Sequence, residues 1–159
     1  MSAPGPGDLA AHAAAAGAAD IAVRGDGSVQ CRVPRGEILA FADGLAGRGL
    51  SLELLAATDT RPETGDFTLT YVFAPSAPRH PLVTLVSVPA ETPQFPSLAT
   101  RSFPASRFER EIHDLFGLTP IGHPEPRRLA LHQFWPEGYH PLRRDVAARR
   151  DFTDEGQPF

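Results

Sequence analysis

The run FTLTYVFAPSAPRHPLVTLVSV, residues 67–88, decides the fold class. Phe67, Leu69, Tyr71 and Phe73 alternate with Thr68, Thr70 and Val72, which is the period-two pattern of a half-buried strand. Pro75–Pro81 forms a turn, and Leu82–Val88 is the most β-rich run of the chain. Upstream, Ser51–Thr58 reads as an apolar strand, and Asp59–Asp66 as a polar turn containing Pro62 and Gly65. Pro34 suits the first turn of a helix. Ile38, Leu39, Phe41, Ala42, Leu45 and Ala46 then recur at helical spacing as far as Gly47. Ile21–Val23 and Val29–Val33 flank RGDGS and its Asp26-Gly27 turn, which predicts a short hairpin. The Ala-rich N-terminus carries a short helix from about Leu9 to Ala16, frayed over Met1–Gly7. Its small side chains bury little area, so residues 1–16 are expected to be dispensable for folding.

Composition narrows the function classes. A chain of 159 residues with net charge -4 and pI near 5.8 is one domain, large enough for a core, and is no general nucleic-acid binder. Lys is absent, so every cation is Arg, whose planar fork suits bidentate carboxylate recognition. Cys31 is the single cysteine, which excludes an internal disulfide framework and a self-contained four-Cys cluster. A cytosolic compartment is the simplest reading. The N-terminus lacks a basic n-region and has Asp8, His12 and Asp20 around its apolar run, unlike a signal peptide. No stretch reaches the roughly 18 apolar residues of a membrane span. Neither a GxGxxG loop nor a GxxxxGK[ST] loop occurs.

Downstream of Pro89 the character changes. Thr92–Thr100 is a Pro-containing connection. Ser106 and Glu109 have capping-box spacing for a helix start. Phe108, Ile112, Leu115 and Phe116 form an apolar stripe, and Gly117 is placed as the residue closing the helix. The other face carries Arg107, Glu109, Arg110, Glu111, His113 and Asp114, with Arg107–Glu111 and Arg110–Asp114 as possible pairs one turn apart. Beyond Gly117 nearly every turn contains Gly or Pro. Leu129, Leu131, Phe134, Trp135 and Leu142 are the expected anchors, and Arg127-Arg128 and Arg143-Arg144 are expected to project. Polar groups this dense suit a docking surface. A metal-dependent enzyme using His113, Asp114, His123, His132 and His140 is the alternative of another class; imidazole and carboxylate are good ligands, although no HExxH spacing occurs. No serine has a nucleophile-elbow context, and Cys31 sits in a predicted strand.

FEREIHDLFGL (108–118), GHPEPRRLAL (122–131) and HPLRRD (140–145) together resemble the thirty-kilodalton (C subunit) family of complex I-like NADH:quinone oxidoreductases. His132 followed by Trp135-Pro136-Glu137-Gly138 is more similar to the corresponding domain of group 4 [NiFe]-hydrogenases, of the formate hydrogenlyase and hydrogenase-4 type. The resemblance implies a non-catalytic structural subunit without a cofactor of its own. It would dock on the large (forty-nine-kilodalton-like or NiFe hydrogenase) subunit beside the small Fe–S subunit. NiFe centre, Fe–S clusters or FMN would belong to those partners. The complex would lie on the cytoplasmic face of the inner membrane, with the membrane arm reached only indirectly. The C subunit of respiratory NADH:quinone oxidoreductase is the alternative within the family.

Residue by residue, the carry-over falls on Glu109, Arg110, Glu111 and Asp114, then on Gly122, His123, Pro124, Arg127 and Arg128. It continues to His140, Pro141, Leu142, Arg143, Arg144 and Asp145, with Trp135 between. Pro126 departs from the family pattern. Glu111 is expected to pair with Arg127 or Arg128 inside the chain. The expected layout is a flexible N-terminal segment or helix (1–19), an α+β domain (20–137) with a small mixed or antiparallel sheet and helices on one face, and an irregular C-terminal docking arm (138–159).

Overall fold

The computed structural model describes residues 4–76, 80–133 and 135–146. Phe134, the tip of the Pro75–Pro81 turn and the part of the expected arm beyond Val146 lie outside the described residues.

The elements follow the periodicities. Helix α1 spans Pro6–Ala15, strand β1 Ala19–Val23 and β2 Val29–Arg32. A 3-10 turn at Arg35–Glu37 leads into α2, Ile38–Ala46. Strand β3 is Leu50–Asp59, a single helical turn α3 is Arg61–Thr64, β4 is Asp66–Pro75 and β5 is Leu82–Pro89. Strand β6 (Gln94–Pro96), helix α4 (Phe103–Phe116) and strand β7 (Thr119–Ile121) complete the order. The main sheet has five strands in the order β1-β2-β5-β4-β3. It is mixed: β2 and β5 run parallel, while β1–β2, β5–β4 and β4–β3 are antiparallel. The fold is α+β, as the sequence predicts.

Register explains why one face is core. Phe67, Leu69, Tyr71 and Phe73 of β4 lie opposite Val88, Val86, Thr84 and Leu82 of β5, and all eight are buried. Tyr71 and Phe73 stack with ring centroids 6.3 Å apart, and Phe41 of α2 meets Phe73 edge-on at 6.0 Å. Strand β3 changes face partway. Leu50 and Leu52 are buried, a bulge between Leu52 and Leu54 adds a residue, and burial then resumes at Leu55 and Asp59. A one-residue insertion reverses which side chains face the core. The bulge therefore turns the Asp59 carboxylate inward, where a regular strand would have sent it out.

Helix α1 is part of this core. Leu9 and Ala13 are fully buried and belong to the main hydrophobic cluster. This corrects the expectation that the Ala-rich segment buries little, because one leucine placed well outweighs many exposed alanines. Leu9→Ala is expected to destabilise the chain by about 2 kcal/mol, the low end for a core leucine because a terminal helix can relax. Chemical denaturation checks it, and a change under about 0.5 kcal/mol would mean that the helix is only adherent.

Candidate functional site

The small parallel sheet β6–β7 sets α4 against the main sheet. Helix α4 begins at Phe103 after Ser102, with Pro104 in its first turn, rather than at Ser106. Proline lacks the N–H that has no partner there, and its φ is already helical. The inward stripe is Ala105, Glu109, Ile112 and Phe116, spaced four, three and four residues apart. The earlier start frees Ser106 and Glu109 from a capping role. Ser106 Oγ lies 3.1 Å from His123 Nε2, and Glu109 enters the core. Gly117 ends the helix in the left-handed region, φ 70°, as predicted.

Two polar residues of α4 hold the loop that follows β7. Asp114 Oδ2 accepts the backbone N–H groups of Leu129, Ala130 and Leu131 at 2.8, 2.8 and 3.2 Å. Arg110 donates Nε to the carbonyl of Arg127 at 2.6 Å and Nη2 to that of Arg128 at 3.0 Å. These two side chains engage loop backbone, so the Arg110–Asp114 pair expected along the helix is not made. His123 pins the other end. Its Nδ1 accepts Glu125 N–H at 2.9 Å, which leaves Nε2–H to donate to Ser106 O at 3.0 Å. Arg128 Nη1 donates to the carbonyls of His132 and Trp135 at 3.1 and 2.8 Å, and Trp135 stacks on Tyr139 at 5.5 Å. Arg127 pairs with Glu125. The expected Glu111–Arg127 or Glu111–Arg128 pair is therefore absent, because both arginines are committed locally and Glu111 faces solvent.

The block His140–Asp145 closes the end of α4. His140 Nδ1–H donates to Asp114 O at 2.9 Å, Leu142 N–H to Leu115 O at 3.1 Å and Arg143 Nε to Phe116 O at 2.6 Å. Three carbonyls that a helix C-terminus leaves without partners are thus satisfied, and the Arg143 cation sits at the negative end of the helix dipole. The guanidinium also lies over Phe67, 5.6 Å from the ring centroid. Burial lowers the His140 pKa, favouring the neutral imidazole that makes this contact. The next residues reach α3. Arg144 N–H donates to Asp59 Oδ2 at 2.8 Å, and Arg144 pairs with Glu63 at 2.5 Å. Arg61 joins Asp59 at 2.6 Å to Asp145 at 2.7 Å and lies 4.6 Å above Phe67. The Arg61 hydrogen bonds hold the Asp59 carboxyl well below the usual carboxylate range. Asp59, Arg61 and Glu63 are the partners sequence reasoning missed, since nothing local marks a polar turn as the acceptor of a segment some eighty residues on.

The predicted residues divide accordingly. Glu109, Asp114 and His123 are buried and engaged by this chain's own groups, which corrects their assignment to a docking face. Arg143 is likewise part of the fold. Residues 138–146, the described part of the expected arm, are tied to α4 and α3 rather than free. Glu111, Arg127, Leu142, Arg144 and Asp145 remain exposed, and Arg110, Arg128, Trp135, His140 and Pro141 are half-buried. Leu129 joins the exposed group as an apolar residue no core needs, 46% accessible, with Leu142 at 51%. The histidines do not converge: among the described residues no three His, Cys, Asp or Glu side chains come together as a metal site. No helix among the described residues is long and apolar enough to cross a membrane.

The motif blocks, residues 108–118, 122–131 and 140–145, are thus one assembly built on α4. The family described as respiratory-chain NADH dehydrogenase, 30 Kd subunit, matches residues 31–151. The chain belongs to this family. Within it, "Hydrogenase-4 component G" of Escherichia coli is 39% identical over 96 residues, 60% of this chain and 17% of that protein. The NADH-quinone oxidoreductase C subunit of Roseiflexus castenholzii is 38% identical over 96 residues, 60% of this chain and 53% of that one. The chain thus spans about a sixth of the first relative and half of the second. Among solved structures, the trypsin-resistant fragment of Nqo5 superposes with a TM-score of 0.62 at 25% identity, over 75% of this chain and 97% of that one. The shared fold places the family's sequence blocks on α4 and the segments it holds.

Proposed function

We propose that this chain is a structural subunit, without a cofactor of its own, of a complex I-like oxidoreductase. It docks on the large subunit of the electron-transfer arm, and the small Fe–S subunit is its second neighbour. The complex is held at the cytoplasmic face of the membrane through its other subunits. The observation that carries this reading is the division of labour in the motif blocks. Buried Asp114 and His123, with Arg110 and Arg143, organise two irregular segments by side-chain bonds. What those segments then present outward is Arg127, Leu129, Leu142 and Arg144, with Glu111 exposed on α4. Charged forks around two exposed leucines match the polar rim and apolar anchors of a protein interface.

The His132…Trp135-Pro136-Glu137-Gly138 block and the identity to the hydrogenase-4 component favour a group 4 [NiFe]-hydrogenase as the holoenzyme. The respiratory C subunit shares the same role and comparable identity. A large subunit retaining two CxxC motifs marks the hydrogenase, and one without them the quinone reductase.

The test pairs Arg127→Glu with Leu142→Asp, two exposed positions outside the core. The double variant is expected to keep the wild-type melting temperature and to lose at least about tenfold in affinity for the large subunit, since a disrupted interfacial contact costs about 2–5 kcal/mol. Unchanged co-purification would show that this face is not the interface. A stoichiometric flavin or metal in the purified chain would overturn the scaffold role itself.

A further inference from the structure

The core of this chain contains an acid. Glu109 is fully buried on the inward stripe of α4, the only buried glutamate among the described residues. Its Oε1 accepts Leu98 N–H at 2.6 Å, and its Oε2 lies 2.5 Å from Ser97 Oγ. That hydroxyl oxygen also accepts Ala99 N–H at 3.1 Å. Among the described residues Glu109 has no ion-pair partner.

The surrounding elements place no cation in ion-pair contact with it among the described residues. From the loop after β7 comes His123, whose Nδ1 accepts Glu125 N–H and whose Nε2 is turned to Ser106, so the ring makes no hydrogen bond to the Glu109 carboxyl. From β4 comes Tyr71, a fully buried phenol kept protonated by burial. Strand β3 packs on α4 with its leucines, while Glu53 is exposed and Asp59 is held by Arg61. On α4, Arg110 and His113 turn to the carbonyls of Arg127, Arg128 and Leu118.

A carboxylate ion buried without a cation is disfavoured far more strongly than a neutral acid that is hydrogen-bonded. We infer that Glu109 is carried as the neutral carboxylic acid, with Oε2–H donating to Ser97 Oγ and Oε1 accepting Leu98 N–H, so that α4 is seated on the 97–99 turn by a proton-dependent latch. In the competing arrangement Ser97 donates to an ionised carboxylate, leaving a full charge in the core with two donors and no cation. Burial raises the Glu109 pKa, outweighing the Ser97 and Leu98 hydrogen bonds and the nearby His123, which lower it.

The sign follows from proton counting. The folded state holds the proton to higher pH than the unfolded chain does. The latch is fully effective below the ordinary glutamate range near 4.5 and weakens as pH rises towards the folded-state pKa. Across that window the folding equilibrium falls about tenfold per pH unit. Because α4 carries Asp114, Arg110 and the cap of 140–143, the same titration loosens the outward-facing segments. This holds whatever partner they bind.

Glu109→Gln supplies a permanent copy of the neutral acid: its carbonyl accepts Leu98 N–H and its amide donates to Ser97 Oγ. Thermal unfolding of both proteins, from mildly acidic to mildly alkaline pH, is expected to show wild type losing ground steadily to the Gln variant as pH rises. Infrared spectra of the wild-type chain labelled at its glutamate carboxyls are expected to show the carbonyl stretch of one protonated acid at neutral pH. Absence of that band, or wild type gaining on the Gln variant with rising pH, overturns the inference. If Glu109→Gln does not fold, the wild-type band alone decides.

Discussion

Asp114→Ala is expected to cost about 3 kcal/mol and to release the loop around Leu129–Leu131. One carboxylate oxygen accepts three backbone N–H groups at 2.8, 2.8 and 3.2 Å, and the residue is buried. Each hydrogen bond to a charged acceptor is worth about 1.5–3 kcal/mol, but the three share one oxygen and the freed donors can reach water, so the total falls below their sum. Asn should recover only part, because its neutral carbonyl accepts hydrogen bonds more weakly than a carboxylate oxygen does. Denaturant unfolding gives the magnitude, and amide hydrogen exchange at Leu129, Ala130 and Leu131 gives the location. Continued protection of those amides in the Ala variant would show that something other than Asp114 holds the loop. The same variant should weaken assembly, because Leu129 reaches the surface from this loop.

Gly117→Val is expected to be the other severe substitution. Gly117 has φ 70°, and a Cβ there would lie 2.5 Å from both Arg143 Nη2 and His140 Nε2. A β-branched residue in the left-handed region costs about 1–3 kcal/mol in strain. Forcing two packed side chains aside adds about 1–3 kcal/mol more, for a total of about 2–5 kcal/mol. Relief of the clash means lifting His140 and Arg143 away, which strips Asp114 and Phe116 carbonyls of their caps. Gly117→Ala separates the effects, since it keeps the clash but reduces the strain. A Val variant within about 0.5 kcal/mol of wild type in denaturant unfolding would mean that the cap is not seated as described.

Much of the scaffold was legible beforehand. Strands β4 and β5 were read to within about two residues because alternation is imposed by the strand's own geometry. The hairpin, α2 and the helix end at Gly117 were read for the same reason: turn chemistry, helical spacing and positive φ are local demands on residue type. The grouping of the motif blocks was also legible, from their resemblance to the family. The orientation of their residues was not. Glu109 was placed on the solvent face because a charged side chain argues for exposure, yet it lies on the same stripe as Ala105, Ile112 and Phe116. Arg143 was expected to reach a partner and instead caps Phe116.

By itself, the sequence determined where backbone hydrogen bonds could be made within segments: which stretches are strands, which are helices, and where each must stop. Only the tertiary structure decided which polar side chains those segments would consume. A single extra residue in β3 turned Asp59 inward to receive Arg144 N–H from 85 positions away, and α4 met the 97–99 turn with an acid rather than an alkyl group. Local periodicity constrains only the chain's path. A charged group's partner is set by whatever the fold brings within about 3 Å, where burial makes an unpaired charge too costly to leave.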